Sequence, residues 1–545
     1  EEDDFRLDVE PEESGDTGSI HEKRLIGPPL DDAPRIQVRH SDAAIRDVLT
    51  DEPGHSTIRL CDTDERGCCA QAHHKHSRIG LQRFGSPFLL GNAIPQLLAA
   101  MPRPDGVTGP APMGGRRLLS FTDSRQGTAR FAAKLQQEAE RNLTRAAIWH
   151  AVQAAAAGDK EKAAEHRLRI EKLKGIGGME SLVAEEEERL AQAEGGFAPV
   201  PWIEMINILA ETPDLRNFAG EVWQGRTASH PFGGLTLAKE PAELAKLLLL
   251  REIFRRPRLQ NNVETMGFAR VAWPELERRM KEGALPSPLA EAGLDHSTWV
   301  GLGLATIDLA FRNRLAVQMQ REPVDLAHWI SPRQASTQVA EPGSDFDETT
   351  TNRRTHKWWT AFSDRAGLVQ IIYRLIGGSK DSATDRDRCQ SVLDALWTEL
   401  LRSKVILRAD PGCWQLDFGK SAVVGLERAW ICPVTGKFLP YNLAGTTPNS
   451  PDKAEQVTVV DLPRLPEASV NGFTAEGRQR MRDWLDTDPT VASLRARGLW
   501  TDLQDRAAMF SPFLRAQEHS AQIDRNSLKG CLLYTSPSPR DRTRS

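Results

Sequence analysis

The sequence predicts an α/β protein with a large, mainly helical middle section. Three observations carry that reading. A short apolar run, Leu118-Leu119-Ser120-Phe121, ends in Thr122-Asp123-Ser124, and a long helical pattern follows at once from Arg125. That order is a strand, a tight turn and a helix N-terminus, where α/β proteins hold phosphates and nucleic-acid backbones. Within the following segment Phe131, Leu135, Ala139, Leu143 and Ala147 recur at a four-residue spacing, the signature of a helix with one buried stripe. Farther on, two helical patterns lead into two extended runs around Asp410-Pro411-Gly412.

Taken in order, residues 1–35 begin Glu1-Glu2-Asp3-Asp4 and continue acidic through Glu13, which reads as a solvated linker or a disordered insert. Residues 36–110 hold a Cys/His cluster and a helix near Gly91–Met101, and Pro102–Gly115 is a loop rich in Pro and Gly. The strand-turn-helix unit falls in 111–150. Residues 151–365 are expected to be helical, with a Lys/Glu-rich helix after Gly158, a Glu-rich one after it, and another over Pro241–Arg256. Residues 366–425 read as a winged-helix unit: helices over Ala366–Ile376 and Asp385–Arg402, then runs Lys404–Arg408 and Cys413–Phe418 joined at the wing tip. An ordinary α+β packing unit is the plain alternative. Residues 426–510 are mixed, and helices resume from Ala475.

Composition narrows the function classes. The 545 residues suffice for roughly three or four domains, and 39% hydrophobic with 27% charged residues describes a globular chain. No apolar run approaches the roughly 20 residues of a membrane span. The net charge of −5 does not advertise nucleic acid, so basic patches must act locally. Seven cysteines without a secretory signal fit a reducing cytoplasm.

The run Leu118-Leu119-Ser120-Phe121-Thr122-Asp123-Ser124-Arg125-Gln126-Gly127-Thr128-Ala129-Arg130-Phe131-Ala132 resembles the fourth conserved motif of superfamily-2 helicases. More narrowly it resembles the large bacterial DNA helicases of phage-defence and repair loci. The segment Glu518-His519-Ser520-Ala521-Gln522 is similar to that family's E-H-T-A-Q stretch, and further likeness lies in Asn262–Gly267 and Trp430–Gly436. The resemblance implies an incomplete, split RecA-like domain that begins near Arg116, is interrupted by the helical insertion and resumes over 511–530; residues 36–110 would join the two motor lobes. It implies an ATP-dependent DNA helicase or translocase using ATP and Mg, acting on single-stranded or partly duplex DNA alongside defence or repair proteins. Thr122, Asp123, Ser124, Arg125 and Gln126 would contact nucleic acid. Asp123 and Gln126 also have capping-box spacing, so a well-made helix start is the plain reading of the same residues.

Several features depart from that family. No G-x-x-x-x-G-K-[ST] phosphate loop and no D-E-x-H box occurs in the sequence; Gly419-Lys420-Ser421 fails because Trp414 stands where the leading glycine belongs. The chain therefore reads as a piece of a longer protein, without a catalytic residue of its own and not expected to hydrolyse ATP alone. The terminal run Cys531–Asp541 resembles a translated sequencing adapter, which puts 531–545 outside the fold. A non-enzymatic DNA-binding or complex-assembly module is the alternative function.

Cys61, Cys68, Cys69 and His73 offer enough soft ligands for zinc, though the spacing lacks the usual C-x2-C pairs. Cys389, Cys413 and Cys432 are isolated and read as small buried residues. Arg354, Lys357, Trp358 and Trp359 mix cations and aromatics as single-strand stacking surfaces do. Arg251, Arg255, Arg256 and Arg258, and Arg278, Arg279 and Lys281, form lesser basic clusters that a solvated face would also explain.

Overall fold

The computed structural model describes residues 24–27, 35–39, 45–46, 55–62, 86–119, 125–156, 160–174, 197–219, 241–254, 261–318, 337–344, 354–363, 366–432, 435–448, 457–465 and 474–516, with a few positions between 179 and 190. They divide into two compact units, Glu1–Leu89 with Ser538–Ser545, and Leu90–Pro537. The first holds strands β1 (Arg24–Gly27), β2 (Arg35–Arg39), β3 (Ile45–Arg46) and β4 (His55–Asp62), in the order β1-β4-β2-β3. All its ladders are antiparallel. Strand β1 lies where the sequence suggested linker: the apolar pair Leu25-Ile26 is enough to enter a ladder opposite Cys61 and Leu60.

Helix α1 (Ser86–Ala100) spans the boundary between the units. The second unit is then built around α2 (Arg125–Ala156). The four-residue stripe is buried as expected, from Phe131 through Ala147, and Ile148, Trp149 and Val152 extend burial around the helix. A helix apolar on more than one face must be covered on several sides. Helices α4 (Trp202–Glu211), α5 (Pro241–Ile253) and α13 (Asp502–Ala508) supply that cover.

The other helices are α3 (Lys160–Lys174), α6 (Pro274–Glu282), α7 (Ser287–Glu291), α8 (His296–Thr306), α9 (Gly367–Leu375), α10 (Ala383–Arg402), α11 (Ala475–Thr487) and α12 (Pro489–Ala496). Helix α8 starts at its Asp295 cap, whose carboxylate accepts from Thr298 N at 2.8 Å, and continues into a π-helical turn, Ile307–Phe311.

Among the described residues three small sheets complete this unit. Strands β5 (Val200–Pro201), β11 (Ala422–Gly425) and β6 (Ala269–Ala272) form one, and β13 (Phe438–Leu439), β12 (Arg428–Ile431) and β14 (Thr458–Asp461) another. In the third, β9 (Ile406–Asp410) and β10 (Cys413–Leu416) make an antiparallel hairpin. Gly412 takes φ +68° at the turn, a conformation glycine adopts without strain. Strand β10 also pairs antiparallel with β7 (Thr337–Ala340), which pairs parallel with β8 (Arg354–His356).

The mixed α/β class thus holds, while the strand expected over Leu118–Phe121 does not appear in its described part, Leu118 and Leu119. Among the described residues of this unit every ladder but β7–β8 is antiparallel. Residues 116–119 belong to no strand, and Leu118 and Leu119 are 47% and 70% exposed. Apolar side chains can signal a strand, but a ladder needs a neighbouring backbone, and the described residues supply none there.

His150 illustrates how tightly α2 is enclosed. Its Nε2 lies 2.7 Å from Ala508 O, and its ring sits 5.2 Å from Phe510 and 5.6 Å from Trp149. Burial pushes the imidazole down to about 4 from 6.5, so the folded chain binds its proton later than the unfolded chain. The stability His150 confers is complete above the unfolded value and is lost as pH falls from 6.5 toward 4. The loss should reach about 3 kcal/mol. Urea unfolding of the wild type and of His150→Phe over that range checks this; parallel pH profiles would refute it.

Candidate nucleic-acid interface

Helix α2 begins at Arg125, where the sequence placed a helix start. Thr122, Asp123 and Ser124 lie outside the described residues, and Arg125 and Gln126 form the helix's first turn. Residues 513–516 lie against Met113 and the stretch of α2 around Gln136. Met113 N donates to Phe513 O at 2.9 Å, and Ala516 N donates to Gln136 Oε1 at 3.3 Å, across a separation of 380 residues. Ile94, Leu98, Met113, Phe131 and Leu135 form a small apolar cluster there, onto which Leu514 and Ala516 pack. Residues 518–522 lie outside the described residues.

Trp358 and Trp359 are not on the surface. They are 7% and 8% exposed and belong to the core. Trp358 packs edge-on against Trp397 at 4.7 Å, and Trp397 meets Trp414 at 6.2 Å. These rings tie the segment after β8 to α10 and the hairpin, which removes them from base stacking. Lys357 is exposed and Arg354 lies in β8. Sequence reasoning passed over Phe362, which is 75% exposed with Arg386 Cζ 5.4 Å from its ring centre. Its signal was an aromatic placed directly before the turn formers Ser363-Asp364.

The basic clusters sort themselves by partner. Arg251 is buried and meets Glu140 at 2.8 Å. Arg278 bridges Glu275 and Glu282, and Arg279 meets Glu399 at 3.0 Å. Arg251 and Arg279 thus join helices, Arg278 pairs along the exposed face of its own helix, as a solvated face would, and Arg255, Arg256 and Arg258 lie outside the described residues. Arg402, Lys404 and Arg408 are exposed along the end of α10 and the hairpin, Arg402 with Glu399 3.7 Å away. The outer face of α10 carries acidic Asp387 and Asp394.

The Asn262–Gly267 segment is structural. Asn262 Oδ1 accepts from Thr265 N, and Thr265 Oγ1 accepts from Asn262 N, both at 2.9 Å. Glu264 is buried against Arg312, and Arg145 meets Glu252 at 2.5 Å with both side chains 1% exposed. In the Trp430–Gly436 segment, buried Cys432 Sγ lies 3.0 Å from Thr447 Oγ1.

Cys389, Cys413 and Cys432 are buried thiols that form no disulfide. Burial pushes the Cys389 thiol up to about 12, which leaves it protonated and inert near neutral pH. Cys61 lies in β4; Cys68, Cys69 and His73 are outside the described residues. Among the described residues no three metal-ligating side chains gather, and no helix is long and apolar enough to cross a membrane. Comparison with protein-family models, curated proteins and solved structures finds no match to this chain.

Proposed function

We propose that this chain is a section of an ATP-dependent DNA helicase or translocase, in which a large helical insertion interrupts the second RecA-like lobe. The observation that supports this most is the return of Phe513–Ala516 to Met113 and Gln136. An insertion whose two ends lie together leaves a small loop-closure cost, which grows only logarithmically with length. The motif resemblance at 118–132 then falls at the mouth of the insertion, with α2 running from it into the insertion's core. In this reading the lobe binds DNA phosphates through the first turn of α2, and ATP and Mg belong to the rest of the motor.

The helices α9 and α10 followed by the β9–β10 hairpin, with β7 against β10, have the order of a winged helix. Its charge argues for a particular use. Asp387 and Asp394 on α10 would repel phosphates from the face that usually enters a groove, whereas Arg402, Lys404 and Arg408 suit backbone contact by the wing side. The non-enzymatic DNA-binding or assembly module is favoured by one observation, the exposed Leu118 and Leu119 outside any strand.

In the full-length protein, Arg125→Ala should weaken DNA binding to a similar degree for all sequences. It should also make the plot of log affinity against log salt shallower by about 0.7–0.9, one phosphate contact. An unchanged slope would leave Arg125 only a helix-initiating residue. DNA-stimulated ATP hydrolysis by the full-length protein would support the motor, and DNA binding without hydrolysis the module.

A further inference from the structure

We infer that Phe362, capped by Arg386, is a stacking platform for one unpaired base of single-stranded DNA. The inference deepens the nucleic-acid reading above and rests on it, but it places the contact where no motif points. A phenylalanine left in water forgoes about 1.5–3 kcal/mol of burial. Here the surrounding turn fixes that exposure. Ser363 N donates to Thr360 O at 2.8 Å, and Ala366 N to Ser363 O at 2.8 Å. Ala361 N donates to Gln390 Oε1 at 3.1 Å, and the Tyr373 hydroxyl donates to Ala361 O at 2.8 Å. Ala361 is 2% exposed, so the residue beside Phe362 is anchored in the core while the ring itself is 75% exposed.

The chemistry around the ring selects the ligand. Arg386 lies over it at 5.4 Å, held by its own bond from Nη1 to Lys380 O at 2.8 Å. A ring with a guanidinium beside it offers a base a π-face and the adjoining phosphate a cation. Of the two carboxylates that flank Arg386, Asp385 accepts from Ser379 N at 3.0 Å and from Arg388 Nη1 at 3.2 Å, and Asp387 is exposed on the outer side of α10. Exposed Lys357 and Lys380 add positive charge to the same two segments, against exposed Asp381 and Asp387. Duplex bases are stacked on one another and present no free face, so the platform fits a single strand.

Fluorescence anisotropy of the chain with a fluorescein-labelled oligothymidine tests this. Phe362→Ala should weaken binding by about 5-fold to 100-fold, the range that stacking of one base covers, without changing the salt slope. Phe362→Trp should retain binding. Arg386→Ala should weaken binding and make the slope shallower by about 0.7. An oligonucleotide carrying 5-iodouracil should crosslink to the peptide containing Phe362. Equal binding by the wild type and Phe362→Ala, a crosslink confined to other peptides, or no binding by the wild type would each overturn the platform. The first two outcomes leave the Arg125 reading standing; loss with Phe362→Ala but not with Arg125→Ala would do the reverse.

Discussion

Replacing Arg312 with Ala should destabilise the second unit by about 3–5 kcal/mol, the effect of stranding buried carboxylates without their cation. Arg312 and Glu264 have side chains only 7% and 4% exposed. The guanidinium also donates from Nη1 to Asp308 Oδ1 at 2.7 Å and from Nη2 to Ile253 O at 2.9 Å. Tyr441 donates its hydroxyl to Asp308 Oδ2 at 3.1 Å, and Glu264 Oε1 accepts from Val271 N at 3.0 Å. One side chain thus joins α5, the Asn262–Gly267 turn and the π-helical turn.

The pH dependence separates lost charge pairing from lost packing. Burial raises the Asp308 carboxyl to about 6 from 3.8, even though Arg312 draws it down. A carboxyl raised in the fold takes its proton earlier there than in the unfolded chain. Its charge therefore disfavours folding above pH 6, and that penalty eases as pH falls through 6. Without Arg312 the carboxyl rises further, so the deficit of Arg312→Ala should shrink between about pH 8 and about pH 5. Urea unfolding of both proteins at the two pH values measures it. A deficit independent of pH would mean that only a cavity had been made.

The same network shows what a sequence conceals. Arg145 and Glu252 are 107 residues apart and read locally as solvated helix residues, yet both side chains are buried in one ion pair. Nothing in a helical period announces a partner on another helix. What was legible was local: the α2 stripe, because burial repeats with the helical turn, and the hairpin, because Asp410-Pro411-Gly412 demands a reversal. Trp358-Trp359 misled because neighbouring cations imply solvent, while Trp358 found Trp397 on a helix that begins well after it and Trp359 packs beside Trp358 and His356. Conversely, the exposure of Phe362 follows from hydrogen bonds to Gln390 and Tyr373, which the turn sequence does not contain.

Gly301→Ala should also destabilise the unit, by about 3 kcal/mol, although helix propensity predicts the opposite sign. Gly301 lies inside α8, where exchanging glycine for alanine ordinarily gains about 1 kcal/mol. A Cβ there would stand 1.9 Å from Asn442 O and 3.1 Å from its carbonyl carbon. That obstacle is backbone, so no rotamer change relieves it. The opposing chain is held in place, with Thr446 N donating to Leu443 O at 2.9 Å and Thr447 Oγ1 3.0 Å from Cys432 Sγ. Relief must come from moving α8 off the segment 441–447, which would open the packing of Leu302, Ala305 and Leu443 at once. Gly367, at the start of α9, is the control: a Cβ there meets nothing within 4 Å, and its alanine variant should stay within about 0.5 kcal/mol of the wild type. Urea midpoints of the two variants decide the matter. Equal midpoints, or a more stable Gly301→Ala, would show that α8 and the segment after β13 do not touch as closely as the structure places them.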